Sequence, residues 1–151
     1  MIVTAEQLKP FRGRLTMVSG GFDPLHAGHI EYFREAAVLG LPVLCNISPD
    51  ELVMRKHPPL LLHAERAQVI DAVRYVDLTH PSTSATTVDL EQIRPRYFVK
   101  GADWRGRLPR EEVEACARHG IEIVYLDTVL RSSSEILRRF ADSAVAARRA
   151  P

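Results

Sequence analysis

The sequence predicts an α/β protein: a single domain with a Rossmann-like, doubly wound parallel sheet of about five strands. Short apolar runs such as Val43–Ile47 lack polar alternation, which is typical of strands buried on both faces of a parallel sheet. Stretches with helical periodicity separate these runs, which favours β-α-β units with right-handed crossovers. The glycine turn Gly20-Gly21 joins the first apolar run to the first long helix. In such sheets the ligand site lies beyond the carboxyl ends of the strands.

The elements follow one another from the polar lead-in of residues 1–14, which has room for one helical turn at Ala5–Leu8. The predicted strands are Leu15–Ser19, Pro42–Ile47, Tyr75–Leu78, Tyr97–Lys100 and Ile121–Leu126. The predicted helices are His29–Leu39, Ala64–Ala72, Thr87–Ile93, Pro109–His119 and Ser133–Ala147. The domain is expected to cover residues 15–143. The tail 144–151 is either a frayed helix end or the start of a linker, so fusion to further domains is left open.

The composition is that of a soluble globular protein, with 46% hydrophobic and 26% charged residues. A formal net charge of +1 gives no indication of nucleic-acid binding. No run approaches the roughly 20 apolar residues of a membrane span, and the amino terminus lacks the pattern of a signal peptide. Cys45 and Cys116 form no metal or redox motif. We therefore expect a cytoplasmic protein with buried free thiols and with neither nucleic acid nor membrane as a partner.

The segment GGFDPLHAGH at Gly20–His29 is the most informative part of the chain. A helix begins here, and its free N–H groups and partial positive charge favour anions. Glycine lets the backbone approach a phosphate closely, and the two histidines, three residues apart, project from one side of the first turn. The segment therefore predicts a nucleotide-phosphate site. The residues expected to form it are Gly20, Gly21, Phe22, Asp23, His26, Gly28 and His29.

This segment resembles the His-x-Gly-His signature of the cytidylyltransferase-like nucleotidyltransferase family. That family includes glycerol-3-phosphate and ethanolamine-phosphate cytidylyltransferases and the adenylyltransferase of ADP-heptose synthesis. The resemblance runs from Met17 to Leu137, with five motifs in the family's order. It implies a Rossmann-like fold and makes His26 and His29 catalytic residues.

Two cations further along match phosphate-binding positions of the family. Lys56 lies in a loop that prolines keep from continuing as a helix. The resemblance makes it a phosphate-contacting catalytic lysine, although Pro58 stands where related enzymes have a second lysine. Either Arg55 or His57 substitutes for that lysine, or the second contact is absent. Arg66 lies in the first turn of the next helix, and the resemblance implies that it helps to hold the triphosphate. The alternative for Arg66 is an exposed ion pair with the preceding glutamate, which contributes little.

Two later segments complete the expected site. After the fourth strand, Gly101 permits close approach of the backbone, Asp103 can accept a hydrogen bond from an amine or hydroxyl, and Trp104 offers a flat face. The resemblance places this string beside the nucleoside, and the nucleotide-binding residues expected from it are Lys100, Gly101, Ala102, Asp103 and Trp104. At the start of the last helix, hydroxyls either cap the helix or bind phosphate. The family has a Ser-Thr-Thr-x-Ile string there, which implies nucleotide contacts from Arg131, Ser132, Ser133 and Ser134.

The resemblance implies nucleotidyl transfer, in which an oxygen of a small phosphate or phosphonate acceptor attacks the α-phosphorus of a nucleoside triphosphate and pyrophosphate leaves. The string Gly101–Trp104 favours CTP as the donor. The chain also resembles cytidylyltransferase domains of the fosfomycin pathway, which act on 2-hydroxyethylphosphonate. Two alternatives stay open, namely an adenylyltransferase using ATP and a sugar-1-phosphate such as heptose-1-phosphate, and a non-catalytic nucleotide-binding module.

The expected cofactor is Mg²⁺, bound mainly through triphosphate oxygens and water, with no protein residue assigned as a metal ligand. Asp23 is left with two interpretations: it either touches water bound to such a metal or fixes the turn. The oligomeric state is also left open, with a homodimer as one outcome.

Overall fold

Five parallel strands form one sheet in the order β3-β2-β1-β4-β5. The computed structural model describes residues 1–127 and 133–149. The strands are β1 (Thr16–Gly20), β2 (Val43–Ile47), β3 (Leu78–Pro81), β4 (Tyr97–Gly101) and β5 (Glu122–Leu126). The predicted single-domain α/β class and the five-stranded parallel sheet are confirmed.

Seven α-helices lie within the described residues and connect or flank these strands. Their bounds are α1 (Ala5–Leu8), α2 (Ala27–Ala37), α3 (Asp50–Val53), α4 (His63–Asp71), α5 (Thr86–Ile93), α6 (Arg110–His119) and α7 (Ser133–Arg149). Short 3₁₀ turns follow α1 at Lys9–Phe11 and follow β4 at Ala102–Trp104. None of the described helices is both long and apolar enough to cross a membrane.

Alternate residues of the central strand point into two separate cores. Met17 packs with Leu90 and Phe98 on the face covered by α1, α5 and α6. Val18 packs with Phe33 and Ile70 on the opposite face, which α2 and α4 cover. Both faces are therefore buried, which explains why the strands read as continuous apolar runs rather than as alternating ones.

The strand order reverses between β1 and β4, which are direct neighbours in the sheet. The chain leaves β1 toward β2 on one side, whereas β4 leads to β5 on the other. The loops after these two central strands consequently diverge and leave a crevice at their carboxyl ends. This is the topological switch point at which open α/β sheets bind ligands.

The third strand was predicted too early. It was expected at Tyr75–Leu78, but the strand runs over Leu78–Pro81 and pairs with β2 from Leu44 onward. Asp77 explains the boundary. Its carboxylate accepts a hydrogen bond from the backbone N–H of Val43, and its own N–H donates to the carbonyl of Val43, which fixes the residue before the strand. The polar residues Thr79 and His80 resemble a loop in sequence, but both are buried in the sheet.

Two other segments are more ordered than expected. The stretch after β2, expected to be a loop, begins with the helical turn α3, and Asp50 and Glu51 lie in its first turn, where acidic side chains are favourable. The lead-in is packed against the sheet edge: Val3 donates to the carbonyl of Thr79, and Leu8 is fully buried. The last helix, α7, runs over Ser133–Arg149, close to the predicted Ser133–Ala147.

Candidate active site

A cavity of about 630 Å³ lies at the switch point and collects most of the residues that the sequence singled out. Those lining it are Gly20, Gly21, Phe22, Asp23, His29, Lys56, Lys100, Gly101, Ala102, Asp103, Trp104, Ser133 and Ser134. Three predicted residues are not among those that line it, namely His26, Gly28 and Arg66. Arg131 and Ser132 fall outside the described residues. The cavity is thus bordered by the ends of β1, β2 and β4 and by the start of α7.

The two histidines are stacked on each other at the start of α2. Their ring centroids are 3.8 Å apart with 23° between the planes. His26 is the N-cap residue, so the helix begins just after it rather than at His29 as predicted. Phe22 has a left-handed backbone (φ 52°) and packs edge-on against His29 with 5.0 Å between centroids. Backbone strain of this kind is concentrated at functional turns, and here it fixes the orientation of His29.

Burial of both imidazoles favours their neutral form. Burial lowers the pKa of His26, and burial together with the charge of His26 lowers the pKa of His29 to about 3. The buried atoms Nε2 of His26 and Nδ1 of His29 have no hydrogen-bond partner among the described residues. The pair therefore holds unused hydrogen-bonding capacity beside a helix amino terminus, which suits a polyphosphate anion.

Asp23 fixes a loop instead of facing the solvent. Its carboxylate accepts hydrogen bonds from the backbone N–H groups of Leu60 and Leu61, at 2.6 and 3.0 Å, and is 2% exposed. Of the two interpretations of Asp23, the geometry favours the turn-fixing one. The loop that carries Lys56 is thereby tied to the end of β1 across about 37 residues of sequence.

Arg66 is a buried tie between the loops. Its guanidinium donates to the carbonyls of Gly21 and Ser48 at 2.7 and 3.0 Å and to Asp50 at 2.6 Å, and the whole residue is 1% exposed. Burial alone would raise the pKa of Asp50, but the hydrogen bonds from Arg66 and from the His63 N–H outweigh it and hold that pKa below its ordinary value. Arg66 is neither the exposed partner of a glutamate nor a residue of the cavity wall. It holds the loops that form the wall.

Two lysines line the cavity at different depths. Lys56 is exposed on the loop after β2. Lys100 is 7% exposed, donates to the hydroxyl of Ser19 at 2.9 Å and has its ammonium 4.9 Å from the ring centroids of Phe98 and Trp104. Burial lowers the pKa of Lys100, and the charge of Lys56 acts in the same direction. The cavity therefore offers one exposed and one buried cation.

The turn after β4 is shaped by the contact between Gly101 and Asp103. A Cβ added at Gly101 would lie 2.5 Å from a carboxylate oxygen of Asp103, so any side chain there would displace that carboxylate. At the other border of the cavity, Ser133 donates to the carbonyl of Pro24 at 2.9 Å and ties the start of α7 to the turn before α2. Gly101 and Ser133 thus shape the border of the cavity: Gly101 leaves room for the Asp103 carboxylate, and Ser133 bonds the turn before α2.

Several lining residues were not expected from the sequence, including Ser19, Tyr32, Ser48, Thr86, Glu112 and Asp127. Glu112 carried a detectable signal. It lies three and four residues before Ala115 and Cys116, which form the buried stripe of α6, so a carboxylate was to be expected on the apolar face of that helix. The hydroxyl of Tyr32 donates to the carbonyl of Val99 at 2.6 Å, which joins α2 to β4. Burial holds the pKa of Tyr32 well above its ordinary value.

The donor set suits a magnesium ion held mainly by phosphates. Among the described residues, no group of three or more His, Cys, Asp or Glu side chains is arranged to hold a metal. Asp103 and Asp127 nevertheless bring hard oxygen donors to the cavity wall, and Mg²⁺ accepts one or two carboxylates beside water and phosphate oxygens. The residues present therefore fit the ion in that mode.

The family assignment rests on a match over most of the chain. Residues 17–139 match the model of the family described as cytidylyltransferase-like. The chain belongs to the cytidylyltransferase-like family. The His-x-Gly-His turn, the switch-point cavity and the serine-bearing start of α7 are consequently those of a nucleotidyltransferase-like protein.

Relatives of two kinds are similar to this chain. The "Bifunctional protein HldE" of Magnetococcus marinus is 38% identical over 96 residues, which cover 61% of this chain and 20% of that protein. The "FAD synthase" of Aciduliprofundum boonei is 31% identical over 136 residues, which cover 83% of this chain and 89% of that protein. The chain thus spans only about a fifth of the HldE protein but nearly the whole length of the FAD synthase.

A solved structure with the same fold is the lipopolysaccharide core biosynthesis protein of Thermoplasma volcanium. Its TM-score is 0.65 at 22% sequence identity, and the superposition covers 77% of this chain and 98% of the other. At that identity the likeness supports the fold. The relatives do not single out the fosfomycin-pathway domains that the sequence also resembled.

Proposed function

We propose that this protein transfers the adenylyl group of ATP to a small acceptor that bears a phosphate, with release of pyrophosphate. The observation that carries the proposal is the meeting of His29, Lys56 and the start of α7 around one cavity at the switch point. Phosphoryl and nucleotidyl transfer need positioned donors and cations more than they need covalent chemistry from the protein. The cavity offers that combination.

The reaction requires no strong base, because the acceptor phosphate is already ionised. One of its oxygens forms a bond to the α-phosphorus, the bond from that phosphorus to the bridging oxygen breaks, and the electron pair leaves with pyrophosphate. His26 and His29 donate hydrogen bonds to the triphosphate as charge moves toward the leaving group, and the flexible side chain of Lys56 follows that charge. Mg²⁺, when bound, would neutralise phosphate oxygens.

ATP is preferred here over the CTP expected from the sequence, because relatives named FAD synthase make a product that contains an adenylyl group. The motifs also resemble the adenylyltransferase of ADP-heptose synthesis, so heptose-1-phosphate is the first acceptor to test. Cytidylyl transfer is the second candidate, because the Gly101–Trp104 string resembles that of cytidylyltransferases. For that donor the acceptor to test is 2-hydroxyethylphosphonate.

The experiment is a matrix of pyrophosphate-release assays with Mg²⁺, in which ATP and CTP are each combined with four acceptors. These are heptose-1-phosphate, FMN, glycerol-3-phosphate and 2-hydroxyethylphosphonate, and mass spectrometry identifies the conjugate. We expect release with ATP and a phosphate ester. Faster turnover of CTP would replace the adenylyl assignment by the cytidylyl one, and nucleotide binding without release in any combination would favour a non-catalytic module. Cytoplasmic location, a homodimer and fusion to further domains stay predictions.

A further inference from the structure

The carboxylate of Glu112 is the feature of the cavity that nucleotidyl transfer does not explain. It lies in the first turn of α6, is 8% exposed and lines the cavity. Its buried oxygen Oε2 has no hydrogen-bond partner among the described residues. A buried acceptor without a partner is costly, so proteins retain such groups chiefly where a ligand or a bound water satisfies them.

A structural role at the helix start does not require Glu112. Acidic side chains in the first turn favour the helix dipole, but the neighbouring Glu111 already supplies one, and it is exposed to solvent. The two glutamates therefore share charge, helix and turn, and differ in that one faces water and the other faces the cavity. This makes Glu111 a matched control for Glu112.

Lys100 lines the same cavity and carries the complementary charge. The two groups influence each other electrostatically: burial raises the pKa of Glu112, and the charge of Lys100 opposes that rise. They nevertheless form no ion pair within 4.0 Å in the part of the chain that the structure describes; the ammonium is instead held by Ser19 and lies beside the Trp104 ring. A donor and an acceptor thus remain separate on one wall.

Such a donor–acceptor pair matches one edge of an amino-substituted base. Adenine and cytosine each present a ring nitrogen that accepts a hydrogen bond next to an exocyclic amine that donates one. Hypoxanthine and uracil present the reverse order, a ring N–H beside a keto oxygen. Lys100, an ammonium with three donors, suits the ring nitrogen, and the carboxylate suits the amine. A keto base would instead place its oxygen next to the carboxylate, so that two hydrogen-bond acceptors would face each other.

We infer that Glu112 is a specificity-determining residue that accepts a hydrogen bond from the exocyclic amine of the nucleotide base, with Lys100 directed at the adjacent ring nitrogen. The inference rests on the proposed function, because it assumes that a nucleoside triphosphate occupies this cavity. It applies to ATP and to CTP alike, since both carry the same edge. A site built on such a hydrogen bond rejects the analogue that lacks the donor, because its own polar groups are left unpaired.

The test compares matched donors, ATP with ITP and CTP with UTP, by kcat/KM in the pyrophosphate assay and by affinity from Trp104 fluorescence. The wild-type protein should prefer the amino-base nucleotide by at least about tenfold. In Glu112→Gln the preference should fall by about tenfold or more, because the new amide can turn its NH₂ toward a keto oxygen. Glu111→Gln, with the same loss of charge, should keep the wild-type ratio.

Three results would overturn the inference. One is an unchanged ratio in folded Glu112→Gln, and another is an equal fall in Glu111→Gln, which would make the effect one of net charge. The third needs no variant, since equal use of ATP and ITP, and of CTP and UTP, by the wild-type protein excludes recognition of the amine. That third result would leave nucleotidyl transfer intact. If no nucleotide binds or reacts at all, the proposed function fails and the inference fails with it.

Discussion

At the scale of single residues, the decisive feature is that the two histidines of the signature are stacked and that burial lowers the pKa of each. Two imidazolium rings with centroids 3.8 Å apart would repel each other, and burial adds to that penalty. An incoming triphosphate changes the balance, because its negative charge favours protonation of both rings. Each neutral ring already carries one N–H donor, and protonation beside the anion would add a second one.

The first prediction concerns turnover. His26→Asn or His29→Asn removes a donor to transition-state charge, and losing one such donor costs about 10²–10³ in rate. Steady-state pyrophosphate release measures the effect, and circular dichroism reports the fold. His119→Asn, in the last turn of α6 and outside the cavity, is the control and should keep the wild-type rate. Near-normal activity of both signature variants would contradict the assigned roles.

The second prediction concerns stability against pH. Because the folded-state pKa of His29 is about 3 and the unfolded value is 6.5, the unfolded chain binds more protons at this residue between those pH values. The free energy of unfolding should therefore fall as the pH drops below 6.5, with a slope from this residue of at most about 1.4 kcal/mol per pH unit. Urea unfolding at several pH values measures it. In His29→Asn this part of the slope should disappear, and an identical profile would contradict the neutral buried imidazole.

At the scale of elements, the loops are held by polar ties that cross long stretches of sequence. Asp23 binds the loop before α4, and Arg66 binds the ends of β1 and β2 from inside α4. The sequence placed both residues near the site, because each follows a predictable strand or begins a predictable helix. It could not assign their roles, since these depend on which carbonyls and amides two distant loops present to them.

The third prediction follows from the burial of Arg66. Arg66→Met leaves the carbonyls of Gly21 and Ser48 and the carboxylate of Asp50 without their donor, and leaving a buried acceptor unpaired costs about 1–3 kcal/mol. We expect a loss of that size in urea unfolding. Asp50→Asn should cost less, because the amide keeps an oxygen that can accept from Arg66 and the guanidinium keeps its bonds to the two carbonyls. A change below about 1 kcal/mol in Arg66→Met would mean that the guanidinium is not a structural tie.

At the scale of the whole molecule, the sheet and the position of the site were predictable because strong signals agree. The apolar runs predicted four strands to within about one residue at each end, and the glycine turn predicted where the cavity lies. The third strand was misplaced because Thr79 and His80 are polar yet buried. Their burial leaves no periodic apolar pattern in the sequence. Glu112 was missed for another reason: its spacing to Ala115 and Cys116 places it on the apolar face of α6, but the sequence does not show that this face borders the cavity.

The last prediction uses this architecture. The cavity is bordered by loops that Asp23, Arg66 and Ser133 already join, so a ligand that touches several of them stabilises the folded chain as a unit. A ligand at 100 times its dissociation constant adds about 2.7 kcal/mol, which for a chain of this size raises Tm by about 5–10 °C. Thermal unfolding with Mg²⁺ and increasing ATP or CTP measures it, and the donor nucleotide should give the larger rise at equal concentration. Lys56→Met should reduce the rise, because it removes the exposed cation of the cavity wall without touching the ties. The absence of any rise up to millimolar nucleotide would mean that the cavity does not bind the triphosphate.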